Sequence, residues 1–218
     1  MIALIRLPHS LVDFFKQLNI FKRNKKPVEL KIVAIAEYMS HGSVRKTANN
    51  LSRLFMSVSK SSVHRYAKKF AKHAFMRQIK PKHHSIVAID ETVVKVNGRR
   101  WYVWVAIDAE TKELITFHVS KGRNWLEALM FLKKLKRMCL GKLPLVLVDK
   151  GPWYRDVLHR LGFEYLHQTF CMRGYVERFF GYLKDRSRVF YNNINCKHEY
   201  RTLVEFVRMF CYWYLEWR

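Results

Sequence analysis

The stretch SIVAIDETVVKV, residues 85–96, is the part of the chain that decides the fold. This stretch contains both a continuous apolar run and apolar residues at alternate positions, and each pattern is typical of a strand. WYVWVAID (101–108) has the same character. Between them, Asn97 and Gly98 provide the positive φ angles of a tight hairpin turn. Because LITFHVS (114–120) follows after a second short turn, we expect three consecutive antiparallel strands.

After these strands the pattern changes to alternating helices and strands. We predict helices over 125–138, 153–161 and 173–188, and strands over PLVLVD (144–149) and FEYLHQT (163–169). Strands that alternate with helices become parallel neighbours in one sheet. The predicted fold class is therefore α/β, a mixed five-stranded sheet with flanking helices on both faces.

The first third of the chain has helical rather than strand periodicity. Apolar positions recur at helical spacing over 29–40, 44–55 and 60–75, and only a short polar turn separates the last two segments. This pattern is typical of an all-α helix-turn-helix domain. We divide the chain into an N-terminal extension (1–28), a helix-turn-helix domain (29–76), a linker (77–85) and a catalytic α/β domain (86–218).

Charge indicates the kind of partner. The chain has 41 Lys and Arg against 17 Asp and Glu, a formal charge of +24, and residues 1–84 alone hold a net +15. Such an excess predicts a polyanion, with double-stranded DNA the leading candidate and an anionic membrane surface the alternative. No stretch approaches the length of a membrane helix, and the four cysteines form no CxxC pair. We expect a cytoplasmic, nucleoid-associated protein with no membrane contact and no small-molecule substrate.

In a helix-turn-helix domain the second helix of the motif lies in the major groove, and its first residues meet the base edges. The candidates for base contacts are Lys60, Ser61, Ser62, His64 and Arg65, and those for phosphate contacts are Lys68, Lys69 and Lys72. The alternative is that these lysines form the solvated face of a small helical bundle.

Three acidic residues have apolar neighbours: Asp90 in the first strand, Asp149 at the end of LVLV, and Glu177 in MRGYVERFFGYLKDR (172–186). A strand that ends on a carboxylate places it at the carboxyl edge of the sheet, where α/β folds bind ligands. Either Asp could instead cap a turn or helix. Glu177 shares a helix face with Gly181 and with the basic residues Arg173, Lys184 and Arg188, so a surface ion pair is its alternative. A glycine in mid-helix suggests a close approach, for example by a DNA backbone.

The chain resembles the DDE transposases of the insertion sequence 6 family, in particular an archaeal-like branch. The resemblance rests on IDET (89–92), WYVWVAID (101–108), VDKGPWY (148–154) and RGYVERFFGYLKDRSRVFYNN (173–193), with 58 residues between Asp90 and Asp149 and 27 between Asp149 and Glu177. It implies a ribonuclease-H-like catalytic domain, an integrase catalytic core in which Asp90, Asp149 and Glu177 form the metal-binding triad and Lys184 contacts DNA. From their positions beside Glu177, Arg173 and Arg178 are candidates to hold the flanking strand.

We therefore expect a transposase that binds the terminal inverted repeats of an insertion sequence and catalyses strand cleavage and strand transfer with two Mg²⁺ or Mn²⁺ ions. The alternative is a catalytically inactive DNA-binding remnant or repressor that retains the fold. Because two element ends must be held together, we expect a homodimer or higher homo-oligomer. The aromatic C-terminal helix, roughly 200–217, serves either core packing or self-association.

Overall fold

The computed structural model describes residues 9–21, 25–73, 80–167, 174–187 and 198–216. It divides into two compact units: residues up to Met76 together with Glu205–Arg218, and Arg77–Val204. Within the part of the chain described, no helix is long and apolar enough to cross a membrane.

The N-terminal unit is helical, as predicted. Its elements are α1 (His9–Leu18), α2 (Val28–His41), α3 (Val44–Leu54) and α4 (Lys60–Ala71). Ser43 and Ser59 cap α3 and α4, since each side chain accepts a backbone N–H of the first turn. The helices α2, α3 and α4 pack against one another and bury the apolar stripe of α4, which consists of Val63, Tyr66, Ala67, Phe70 and Ala71.

The second unit is built on a five-stranded sheet with the order β3-β2-β1-β4-β5. Its strands are β1 (Ile86–Val96), β2 (Arg99–Asp108), β3 (Leu114–Ser120), β4 (Leu145–Val148) and β5 (Tyr165–His167). The first three are antiparallel neighbours, whereas β4 and β5 join in parallel. The predicted mixed five-stranded sheet is confirmed, and β5 is shorter than the segment 163–169 that we predicted.

The hairpin turn between β1 and β2 has the predicted geometry. Asn97 has a φ of 48° and Gly98 a φ of 74°. Both values lie in the left-handed region, which a type I′ turn requires at its two central positions. The turn thus sets the register in which Asp90 lies opposite Val105.

Two helices cover one face of this sheet. They are α5 (Trp125–Met138) and α6 (Pro152–Leu161). Their buried side chains share one core with Val87, Ile89, Trp104 and other residues of the sheet. A third helix, α7 (Gly174–Ser187), packs against β1 and β2 through side chains that do not belong to this core. Successive strand residues face opposite sides, so the face of Val87 and Ile89 is the face of α5 and α6.

The last helix, α8 (Glu199–Glu216), belongs to both units, which divide at Glu205. We predicted that the α/β domain continues to residue 218, but the structure groups the helix from Glu205 onward with the N-terminal helices. The reason is aromatic packing, since the ring of Tyr212 lies 4.8 Å from that of Phe70 and stacks on Phe14 at 5.8 Å. The aromatic residues of α8 that the structure describes in this part are buried: Phe206, Phe210, Tyr212, Trp213 and Tyr214. This arrangement matches the core-packing alternative.

Candidate active site

The register of the parallel strands brings Asp90 and Asp149 together. Ile86, Val87 and Ala88 of β1 pair with Leu145, Val146 and Leu147 of β4, and the same offset continued by two residues sets Asp149 beside Asp90. Since β4 ends at Val148, Asp149 is the first residue beyond the strand. The two predicted aspartates therefore meet at the carboxyl edge of the sheet, the edge at which ligands of α/β folds bind.

A third carboxylate completes this cluster, and it is Glu91. Ligand oxygens of Asp90, Glu91 and Asp149 all lie within 4.8 Å of one another. Each residue taken whole is half-buried, although the side chain of Glu91 by itself is enclosed. Asp90 Oδ1 accepts the N–H of Glu91 at 2.8 Å. We refer to Asp90, Glu91 and Asp149 as the carboxylate cluster.

The loop after β4 holds Asp149 in place. Its Oδ1 accepts the N–H of Gly151 at 2.9 Å, and the His167 Nδ1 lies 3.1 Å from its carbonyl oxygen. A Cβ at Gly151 would lie 2.9 Å from the Trp153 ring and 3.0 Å from Asp149 Oδ1, so only glycine fits this close approach. The helix α6 begins one residue later, at Pro152, without a side-chain cap. Asp149 thus closes a tight turn and does not cap α6.

Glu91 differs from the two aspartates in its surroundings. Its side chain is 2% exposed; Oε2 accepts the hydroxyl of Tyr154, and Oε1 lies 3.4 Å from Arg123 Nη1. The pKa of Glu91 is raised to about 7, chiefly by burial and also by the nearby charges of Asp90 and Asp149, against the lowering effects of the Tyr154 hydrogen bond and of Arg123. Both of its oxygens are therefore engaged by side chains of α6 and of the β3–α5 loop.

Our sequence analysis missed Glu91 for a structural reason. Neighbouring strand residues project to opposite faces, so Asp90 and Glu91 are not expected to share a site. Glu91 lies on the face of Val87 and Ile89, where Tyr154 approaches from α6, and Asp90 lies on the other face. The only sequence signal was the adjacency of two acidic residues inside an apolar strand.

Arg123 is a basic residue that contacts this cluster, through Glu91. Its Cζ lies 4.3 Å from the centre of the Trp153 ring and 5.8 Å from that of Tyr102. Its side chain is 46% exposed, in contrast to that of Glu91. The loop that carries it leads into Asn124, whose side chain caps α5 by accepting the N–H of Glu127.

The predicted third acid, Glu177, is exposed on α7 and is not part of the carboxylate cluster as the described residues form it. Arg178 and Lys184 are also exposed on α7, with the guanidinium of Arg178 over the ring of Tyr175. Arg173 and Arg188 lie outside the described residues. Since α7 packs against β1, Glu177 lies on the helix next to the strand that carries Asp90. The described residues therefore bring Asp90 and Asp149 together without Glu177, and the metal-binding triad stays a prediction.

The predicted base-reading helix α4 exposes one polar face. Lys60, Ser61, His64, Arg65, Lys68 and Lys69 are exposed there. Ser62 is half-buried and its N–H is donated to the capping Ser59, so its backbone belongs to the start of the helix. Lys72, just beyond the end of α4, is exposed as well, so seven of the eight candidates are open to solvent.

Comparison with known proteins shows the family. The family model DDE_Tnp_IS240, described as a DDE domain, matches residues 84–205. An uncharacterized protein of Methanocaldococcus jannaschii is 36% identical over 196 residues, which cover 90% of each chain. The transposase for insertion sequence-like element IS431mec of Staphylococcus aureus is 29% identical over 140 residues, covering 62% of this chain and 61% of the transposase.

Solved structures show more distant likenesses. The catalytic core domain of HTLV-2 integrase, solved with magnesium, is 20% identical, with 50% of this chain and 71% of that chain covered and a TM-score of 0.39. A chain of the simian T-cell lymphotropic virus intasome is 17% identical, with 80% and 66% covered and a TM-score of 0.45. At such scores the fold assignment rests on the sheet order and the family match.

The sheet order and the acidic cluster at its edge define a DDE-type polynucleotidyl transferase with a ribonuclease-H-like catalytic core. Within that class, the chain belongs to the DDE transposases of the insertion sequence 6 type. The predicted family is thus confirmed, and its archaeal-like branch stays a prediction.

Proposed function

We propose that this protein binds the terminal inverted repeats of an insertion sequence and catalyses metal-dependent cleavage and strand transfer of DNA. The observation that carries the proposal is the convergence of Asp90 and Asp149, which have 58 residues between them in sequence, in one cluster at the carboxyl edge of the sheet. The match of residues 84–205 to the DDE domain supports the same reaction.

The carboxylate cluster fits a divalent metal ion. Hard ions such as Mg²⁺ and Mn²⁺ prefer carboxylate oxygens, and the oxygens of the cluster lie within 4.8 Å of one another. We propose that Asp90 and Asp149 would be ligands of the two ions. When bound, such a pair activates the attacking oxygen and stabilises the leaving 3′ oxygen of an in-line displacement.

We propose Glu177 as the third metal ligand. It lies on α7, which packs against β1, and Asp90 projects from the face of β1 opposite to α5 and α6. Glu91 is the competing candidate because it belongs to the cluster. Its oxygens already accept from Tyr154 and contact Arg123, whereas Glu177 is exposed.

Basic residues on two elements are proposed to hold the DNA. On α7, Lys184 and Arg178 are exposed on the same helix as Glu177 and suit phosphate contacts. On α4, the exposed side chains Lys60, Ser61, His64 and Arg65 suit contacts with base edges, and Lys68 and Lys69 suit phosphates. The net charge of +24 supports a polyanionic substrate.

We also propose that the active form is at least a homodimer, because one reaction joins two ends of the element. The measurement is the mass, by light scattering, of the complex with a terminal-repeat duplex. A complex with one protein chain per pair of ends would contradict this proposal.

The test of the proposed function is a strand-transfer assay on a pre-cut terminal repeat with Mg²⁺ or Mn²⁺. We expect joining by the wild-type protein and a loss of at least about 1,000-fold in Asp90→Asn, Asp149→Asn and Glu177→Gln. Asp156→Asn is the matched control, since Asp156 is exposed on α6 and lies outside the cluster. DNA binding without joining under any metal condition would favour the catalytically inactive DNA-binding alternative. Full activity of Glu177→Gln would exclude Glu177 as a ligand.

A further inference from the structure

We propose that Arg123 contacts a phosphate of the DNA strand held at the carboxylate cluster, and that Glu91 and Trp153 are the positioning residues that hold its guanidinium there. The inference rests on the proposed function, because it concerns the substrate of the same site. It assigns a role to a residue that the acidic triad does not include, and it gives Glu91 a role other than metal binding.

The position of Arg123 is the first step. Its Nη1 lies 3.4 Å from Glu91 Oε1, and Glu91 in turn has a ligand oxygen within 4.8 Å of those of Asp90 and Asp149. The guanidinium thus contacts a carboxylate that itself lies close to the two aspartates. A phosphate bound there, or the next one along the strand, comes within reach of an arginine side chain.

The second step is that the guanidinium is held in one orientation. It stacks over Trp153 with 4.3 Å between Cζ and the ring centre, and Tyr102 borders it at 5.8 Å. The Trp153 ring packs against the turn at Gly151, since it lies 2.9 Å from the place that a Cβ of residue 151 would take. A guanidinium fixed before binding loses less rotamer entropy when it meets its partner.

The third step is that the two partners of the ion pair differ in their exposure to solvent. The Glu91 side chain is 2% exposed and the Arg123 side chain is 46% exposed, so the anion is enclosed and the cation faces solvent. Among the described residues, Glu91 is the hydrogen-bond partner of this guanidinium, through Nη1. In the described part of the chain no side chain is recorded as accepting from the other N–H donors of the planar fork, so they can bind an acceptor from outside. Phosphate matches that geometry, and it can be bound in a bidentate way.

The same contacts argue that Glu91 acts as an anchor. Tyr154, which is fully buried, donates to Oε2, and Arg123 faces Oε1. A metal ligand in this place would have to give up one of these partners. As an anchor, Glu91 keeps both and directs the positive charge of Arg123 toward the substrate.

The first test is the salt dependence of binding to a pre-cut terminal-repeat duplex. Each phosphate contact adds about 0.9 to the slope of log K against log salt concentration. We expect Arg123→Ala to lower that slope by about 1 and Arg123→Lys to keep most of it, because lysine retains the charge. An unchanged slope in Arg123→Ala would overturn the proposal. This readout needs no catalysis, so it tests Arg123 even if the proposed reaction is absent.

The second test separates anchoring from metal binding. We expect Mn²⁺ binding, measured by calorimetry without DNA, to be retained in Arg123→Ala and Glu91→Gln and lost in Asp90→Asn. Strand transfer should fall about 100-fold in Arg123→Ala and in Arg123→Lys, because a misplaced strand reacts slowly. The control is Arg100→Ala, an exposed arginine near the hairpin turn, which should leave the rate unchanged.

The double variant Glu91→Gln with Arg123→Ala completes the test. If Glu91 acts through Arg123, the double variant is no slower than Arg123→Ala alone. Loss of Mn²⁺ binding in Glu91→Gln, or a double variant whose losses multiply, would overturn the anchoring role and make Glu91 a ligand in its own right.

Discussion

At the scale of single residues, the pair of His84 and Asp108 joins the start of β1 to the end of β2. The Nδ1 of His84 lies 2.6 Å from Asp108 Oδ2, and the two side chains are 2% and 4% exposed. Asp108 Oδ1 also accepts the N–H groups of Glu110 and Thr111. Burial acts to raise the pKa of Asp108, but these bonds together outweigh it and hold the pKa below its usual value.

This pair has a pH dependence with a definite sign. A carboxyl whose pKa is depressed by folding stabilises the protein above its unfolded pKa, here about 3.8 to 3.9, and the stabilisation is lost as pH falls through the lower folded pKa. We expect Asp108→Asn to lower the free energy of unfolding by about 3 kcal/mol near neutral pH and to flatten its fall below pH 4.

The measurement is urea unfolding between pH 3 and 7. Asp156→Asn on the exposed face of α6 is the control and should change little. If the free energy of unfolding of Asp108→Asn fell below pH 4 as steeply as that of the wild-type protein, the pair would contribute nothing to the acid dependence.

At the scale of elements, α7 carries a glycine that the packing of the helix does not require. Gly181 lies in its middle, and a Cβ there would have no heavy atom within 4 Å apart from its chain neighbours and the backbone of its own helix. The close approach that we inferred from the sequence is therefore not made by the described residues. DNA remains the predicted partner at this position.

We expect Gly181→Ala to raise the free energy of unfolding by about 1 kcal/mol, because alanine is the better helix former. We also expect it to weaken DNA binding, because the added methyl group would meet the DNA backbone. The measurements are chemical unfolding and DNA affinity on the same preparation. Gly162→Ala is the contrasting control: Gly162 ends α6 with a φ of 80°, so alanine there should destabilise. Unchanged DNA affinity in Gly181→Ala would remove the predicted approach.

At the scale of the whole molecule, the C-terminal part of α8 completes the N-terminal unit. Phe210 is fully buried, and Tyr212 contacts the rings of Phe14 and Phe70. Phe70 is also part of the buried stripe of α4. The helix proposed to read DNA is thus packed against residues from the other end of the chain.

We expect a chain ended after Val204 to lose the stable fold of its N-terminal helices, since removing each large buried aromatic costs about 3–5 kcal/mol. Hydrogen exchange should show lost protection in α2 to α4 and retained protection in β1 to β4. Tyr212→Leu is a milder variant that should give a smaller loss. Unchanged protection in α4 after truncation would contradict this prediction.

The features of the fold that could be predicted from the sequence are those whose signal lies within a few neighbouring residues. The β1–β2 hairpin followed from Asn97 and Gly98, and α3 and α4 followed from apolar positions at helical spacing on either side of a short polar turn. The meeting of Asp90 with Asp149 could be predicted because both end or interrupt buried strands that become parallel neighbours. These features depend on periodicity and turn chemistry within a few residues.

The sequence by itself determined the mixed sheet, the helical N-terminal region, the family, and the two aspartates at the sheet edge. Only the tertiary structure decided that Glu91 joins them, that Arg123 reaches Glu91 over Trp153, and that α8 from Glu205 packs with the N-terminal helices. The physical reason is distance along the chain. Tyr154 lies 63 residues from Glu91, and such contacts arise when helices pack on the sheet, a step that local periodicity does not encode.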